Sequence, residues 1–232
     1  MASAEWCAWL EAMPGRTHAD RLWPLVLKIP GLMQQVDILA VNQSNVSESL
    51  VLLEQIDAVD RSLDAWLAEY DQDMPDSQSL YWSSTAPPKA HESSFMPPIE
   101  FKAISLAQMM MSYWAYKLEL SILREEIETT QVTTTDCHSI VKGSRTRSHH
   151  FALLIGRSLA YWLKHVSADV CLYKLLYAVR LGWAWFARYP KVYELELCAW
   201  RIFRMKMMSA PKTRMAEFVM DMFCKPPPQE TS

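Results

Sequence analysis

Glycine is scarce in this chain. Five of 232 residues are glycine, and Gly15, Gly31, Gly143, Gly156 and Gly182 stand far apart. Phosphate-cradling loops, dinucleotide-binding turns and strand–turn–helix nucleophile elbows all need glycine at short fixed spacings, and none of those motifs occurs here. Cysteine is sparse as well. Cys7, Cys137, Cys171, Cys198 and Cys224 make an odd number and are widely spaced. That is neither a disulfide framework nor a zinc knuckle, and it fits a reducing compartment. Long apolar runs are also missing: the longest stretch without a charge, 103–116 between Lys102 and Lys117, is too short to span a bilayer. Glu5 interrupts the start before any apolar signal segment develops. A soluble protein is expected. The sequons beginning at Asn42 and Asn45 are read as unglycosylated loop.

What is present favours helix. Half of the residues are apolar, with 14 methionines and 10 tryptophans, and helix formers dominate. The expected fold is all-α: an irregular bundle of about seven to nine helices in a single domain over 1–225. Two long linkers, about 71–98 and 129–146, interrupt it, and 226–232 form a disordered tail. The net charge of -3 hides a split, because residues 1–98 hold 14 acidic and 5 basic side chains while 99–232 hold 12 and 18. A uniformly basic domain would point to nucleic acid; this division points to halves that attract each other or offer different faces to partners.

Periodicity places the helices. A short aromatic helix is expected over 4–13, and another over 19–28 with Pro24 in its first turn or at a kink. A third should begin at Pro30 and reach Val41. Over 46–70 the apolar stripe reads Val46, Leu50, Leu53, Ile56, Val59, Leu63, Trp66 and Tyr70, with acidic side chains on the opposite face. Pro75, Pro87-Pro88 and Pro97-Pro98 break the pattern over 71–98, where Leu80, Tyr81, Trp82 and Phe95 should pin the loop to the domain. A long helix over 99–128 buries Ile104, Ala107, Met110 or Met111, Trp114, Leu118 and Ile122 and exposes its end from Arg124 to Glu128. The Thr-rich run after it also suits a brief extended segment. Two or three helices follow over 146–208, punctuated at Tyr189-Pro190, and a last one over 213–224.

No polar constellation outweighs a structural reading. Glu125, Glu126 and Glu128 are taken as a solvated helix end. Cys137-His138 and His149-His150 lack the spacing that closes a metal tetrahedron. Asp71, Asp73 and Asp76 are spaced for magnesium but fall on a Pro-containing loop. Arg201, Arg204, Lys206, Lys212 and Arg214 form the densest basic cluster, without an aromatic platform for bases. No catalytic, cofactor-binding or metal-ligating residue is therefore assigned, and no cofactor is expected. Met109, Trp185 and Met208, surplus to the apolar stripes, are candidates for lining a groove.

Several segments resemble a known family. "FMPPIEFKAISLAQMMMSYWAYKLELSIL" at 95–123, with its proline-rich lead into an apolar helix bearing Tyr-Trp-Ala, is similar to a segment of fungal binuclear zinc-cluster transcription factors. "GRSLAYWL" at 156–163, "ELELCAWRIFRMKM" at 194–207, and the earlier "LDAWLAEY" and "LYW" match it in order. The resemblance implies the helical regulatory region of such a factor. The six-cysteine zinc array of the family is absent, so DNA binding and zinc are not carried over, and no residue-level site transfers. The implied function is transcription regulation through protein partners or an effector, in the nucleus or alternatively the cytoplasm, with dimerisation open and neither direct nucleic-acid nor membrane binding. A scaffold unrelated to transcription is the alternative, and a helical enzyme with an apolar pocket a further one.

Overall fold

A computed structural model of the chain describes residues 18–41, 46–73, 79–84, 95, 97–131, 138–165 and 169–208. They are mostly helical. In chain order they form α1 (His18–Val26), α2 (Ile29–Val41), α3 (Val46–Asp73), β1 (Tyr81–Ser83), β2 (Ile99–Phe101), α4 (Ile104–Gln131), α5 (His138–His165), α6 (Asp169–Ala187) and α7 (Glu194–Met208). The helices expected over 4–13 and 213–224, and the tail 226–232, lie outside the described residues. Contacts group the chain into two compact units, Met1–Gln78 with Tyr116–His149, and Ser79–Ala115 with His150–Ser232. The helices α4 and α5 each contribute one end to each unit.

In the first unit α1 and α2 pack on α3. Pro24 lies near the C-terminal end of α1 rather than in its first turn. The helix stops two residues later at the Leu27-Lys28 turn, closed by the Leu27 N–H donating to the Trp23 carbonyl at 3.0 Å, so only the last turn bears the cost of the missing N–H. Pro30 sits in the first turn of α2, where its N–H would have had no intrahelical partner. The buried face of α3 is Ser49, Leu52, Ile56, Val59, Asp60, Leu63 and Trp66. The expected stripe holds from Ile56 to Trp66, but Val46 and Leu50 are exposed. The Trp66 indole donates to the His18 carbonyl at 2.8 Å, fastening α1 to α3.

In the second unit the segment expected to be a linker carries a small sheet. The strands β1 and β2 pair antiparallel, with Tyr81 opposite Phe101, Trp82 opposite Glu100 and Ser83 opposite Ile99. The Ser84 N–H extends the ladder to the Pro98 carbonyl at 2.8 Å. Helix α4 therefore begins at Ile104 and not at 99. The alternation Ile99-Glu100-Phe101 has a strand's period of two, which places Ile99 and Phe101 in the core and Glu100 half out. Phe101 packs on Trp114 and Tyr161, at ring-centroid distances of 5.9 and 5.1 Å. From α5, Arg157 donates to the Pro97 carbonyl at 2.6 Å and to Ser83 Oγ at 2.8 Å. Lys164 pairs with Glu100 at 2.6 Å. Phe95 is fully buried against Gly156 of α5, with Phe186 and Trp200 each 5.8 Å away between centroids. The anchoring expected of Leu80 and Phe95 is present, while Trp82 is exposed.

The other linker, expected over 129–146, is shorter. Helix α4 runs through Gln131 and α5 begins at His138. The β-branched Thr129 and Thr130 stay helical because their hydroxyls donate back to the Glu125 and Glu126 carbonyls, at 2.6 and 2.8 Å. Helices α6 and α7 pack together across the expected Tyr189-Pro190 break. There the Val192 and Tyr193 N–H groups both donate to the Tyr189 carbonyl.

Candidate functional site

The polar residues singled out by the sequence do not converge. Asp71 and Asp73 are exposed on the last turn of α3 rather than on a loop, and Asp73 is 2.5 Å from His18 Nε2; Asp76 lies outside the described residues. His150 is exposed with its ring edge toward Phe151, and Cys137 is outside the described residues. Among the described residues no cluster of three His, Cys, Asp or Glu side chains could hold a metal ion. Arg201 is exposed and Arg204 half-buried; Lys212 and Arg214 are not described. Trp185, a candidate groove residue, is fully buried instead. It belongs to an aromatic cluster with Phe186, Tyr189 and Tyr193. Met109 is half-buried.

The end of α4 also differs from the expectation. Glu125 and Glu128 are buried rather than solvated. The first unit also holds a polar layer whose centre is Lys117, itself 3% exposed. Lys117 Nζ lies 2.5 Å from Asp60 Oδ1 and 2.8 Å from Asp64 Oδ1. The Asp60 contact is off the axis of a regular hydrogen bond, so it is Coulombic first. Arg147 approaches the other Asp60 oxygen at 3.4 Å. Arg124 pairs with Asp57 and lies 3.9 Å from Glu128 on the next turn. Lys117 and Asp60 are the buried pair and offset each other's desolvation, while Asp64, Arg147 and Asp57 reach solvent. The arrangement joins α3, α4 and α5. The sequence carries a signal for it: Asp60 falls on the Ile56–Leu63 stripe, and Lys117 lies three residues after Trp114, beside Leu118 of the α4 stripe.

Burial also sets three phenols. Tyr116 is held above its usual value by desolvation alone. Tyr161 is raised by burial and then by the Glu100 carboxylate. Tyr81 is raised by burial, with Arg157 opposing. Each stays neutral well past physiological pH.

The remaining feature is a surface. Between α2 and α3 runs an open groove of about 370 Å³ lined by Gln35, Ile38, Leu39, Ser47, Glu48, Val51 and Leu52. Ile38 and Val51 are 51% and 56% exposed, and Met33, Val41, Val46 and Leu50 are exposed on the same two helices. The stretch Asp20–Val41 is long and apolar enough by composition to pass for a membrane span, and only 28% of its most apolar window is buried. The Leu27-Lys28 turn breaks it into two helices, neither long enough to cross a bilayer.

Comparison with protein-family models, with curated proteins and with solved structures found no match to this chain.

Proposed function

We propose that the chain is a helical regulatory domain that acts by binding a protein partner, in the manner of the regulatory region of fungal zinc-cluster transcription factors, in the nucleus or alternatively the cytoplasm. One observation supports a binding role above the others. Of the thirteen large apolar side chains exposed among the described residues, seven fall within residues 23–51: Trp23, Met33, Ile38, Val41, Val46, Leu50 and Val51. Apolar side chains scattered singly over a surface need no explanation, but a concentration on one small helical subassembly marks a place where something docks. The transcriptional part of the reading rests on the motif likeness at 95–123, 156–163 and 194–207.

The test is a reporter assay. The chain is fused to an unrelated DNA-binding domain and reporter output is compared with that domain alone. A severalfold activation or repression, lost on Ile38→Asp, is the expected result. No change in output, together with no capture of components of the transcription machinery, would sink the transcriptional reading.

A further inference from the structure

The groove between α2 and α3 carries more than apolarity, because its charges have one sign. Glu48 lines it, and Val51 stands one helical turn from both Glu48 and Glu54, so the two carboxylates bracket the apolar centre of the α3 wall. The opposite wall, α2, contains no lysine or arginine, and its uncharged lip is Gln35 and Ile38. Along α3 the first cation is Arg61, ten residues beyond Val51. An apolar floor with an acidic wall is complementary to an amphipathic helix whose apolar stripe is flanked by lysine or arginine. The lining runs from Gln35 to Leu39 on α2 and from Ser47 to Leu52 on α3, so the groove receives roughly two turns of such a helix. An anionic lipid surface would meet carboxylates of its own sign here, and the chain's own aromatic segment 4–13 brings Glu5 and Glu11.

We infer that this groove is a docking site for a basic amphipathic helix of a partner protein. The inference rests on the interaction-domain reading and specifies the partner's chemistry. Ile38, Leu39, Val51 and Leu52 receive the apolar stripe, while Glu48 and Glu54 select its basic flank.

The experiment uses two labelled synthetic peptides of about five helical turns, one of Leu, Ala and Lys in amphipathic order and one with Glu in place of every Lys. Anisotropy titrations of the full chain should show the Lys peptide binding about tenfold or more tighter than the Glu peptide, with the preference shrinking as salt rises. Ile38→Asp and Val51→Asp change only exposed side chains and should abolish binding with the helical circular dichroism unchanged. Glu54→Lys should weaken the Lys peptide, and Glu48→Lys with Glu54→Lys should reverse the preference. Equal binding of the two peptides, binding of neither, or indifference to Ile38→Asp overturns the inference. Ile38-dependent binding to anionic phosphatidylglycerol vesicles, or Ile38-dependent self-association in sedimentation, overturns it in favour of a lipid surface or a second copy. The two readings fail separately. A responsive reporter with silent peptides leaves the interaction domain standing without this partner, and bound peptides with a silent reporter do the reverse.

Discussion

Lys117 shows how much a single side chain can decide when it is buried among carboxylates. Its ammonium sits between Asp60 and Asp64, with Arg147 beyond. Removing it leaves the Asp60 carboxylate buried with only the longer Arg147 contact, and a deprived buried charge costs about 3–5 kcal/mol. Lys117→Met should therefore lower the urea midpoint steeply. Adding Asp60→Leu to that variant removes the stranded charge as well, and most of the lost stability should return. A double variant no more stable than the single one would show that the pair does not act as a unit. Tyr116 sets a pH limit of a different kind. Burial favours its neutral phenol, so its folded pKa exceeds the unfolded value of 10.0. The associated stability is complete below about pH 10 and is lost as the pH rises through the raised value. Thermal midpoints measured from pH 8 upward should fall at the alkaline end. Tyr116→Phe, which has no proton to lose, should flatten that fall.

At the scale of the element, α5 holds two glycines with opposite consequences. A Cβ on Gly156 would lie 2.5 Å from the Phe95 ring, which Phe186 and Trp200 hold in place, whereas a Cβ on Gly143 meets nothing. Gly156→Ala should cost about 1–3 kcal/mol by overpacking. Gly143→Ala should add about 0.5–1 kcal/mol through helix propensity alone. Opposite shifts in the denaturation midpoint are the expected result, and a harmless Gly156→Ala would mean that Phe95 is not packed as described. The same elements show what the sequence could and could not disclose. Helices with a clean apolar period, such as α3 from Ile56 to Trp66, were legible because burial alone sets their pattern. The ribbon of β1 and β2 was not, since three-residue strands are too short for a period to register. Arg157 and Lys164, more than fifty residues away, contact the ribbon and brace it. The end of α4 extends beyond the expected boundary because Thr129 and Thr130 satisfy helix geometry through their hydroxyls, which propensity does not capture. The α2–α3 groove was invisible for a related reason: Val46 and Leu50 fit the apolar spacing as well as Leu52 does, and only packing separates the buried from the exposed.

For the whole molecule, the charge asymmetry along the sequence also separates the sequence ranges of the two units. The unit of Met1–Gln78 with Tyr116–His149 contains 18 acidic and 9 basic side chains, and the other unit 8 and 14. The boundary between units falls inside α4 at Ala115–Tyr116 and inside α5 at His149–His150, where neither helix has a glycine or proline. Helix formation propagates residue by residue once nucleated, and an isolated stretch shorter than about 12–15 residues is marginal in water. The first-unit part of α5, from His138 to His149, is near that limit. Melting either unit therefore removes packing from helices that the other unit also uses. Unfolding should be one cooperative transition in spite of the two units. Tryptophan fluorescence, with Trp114, Trp162, Trp185 and Trp200 in the second unit and Trp66 in the first, should give the same urea midpoint as far-ultraviolet circular dichroism. Lys117→Met in one unit and Gly156→Ala in the other should each move both signals together. Separate midpoints, or a variant that shifts one signal alone, would show that the shared helices divide at their middles and that the units unfold independently.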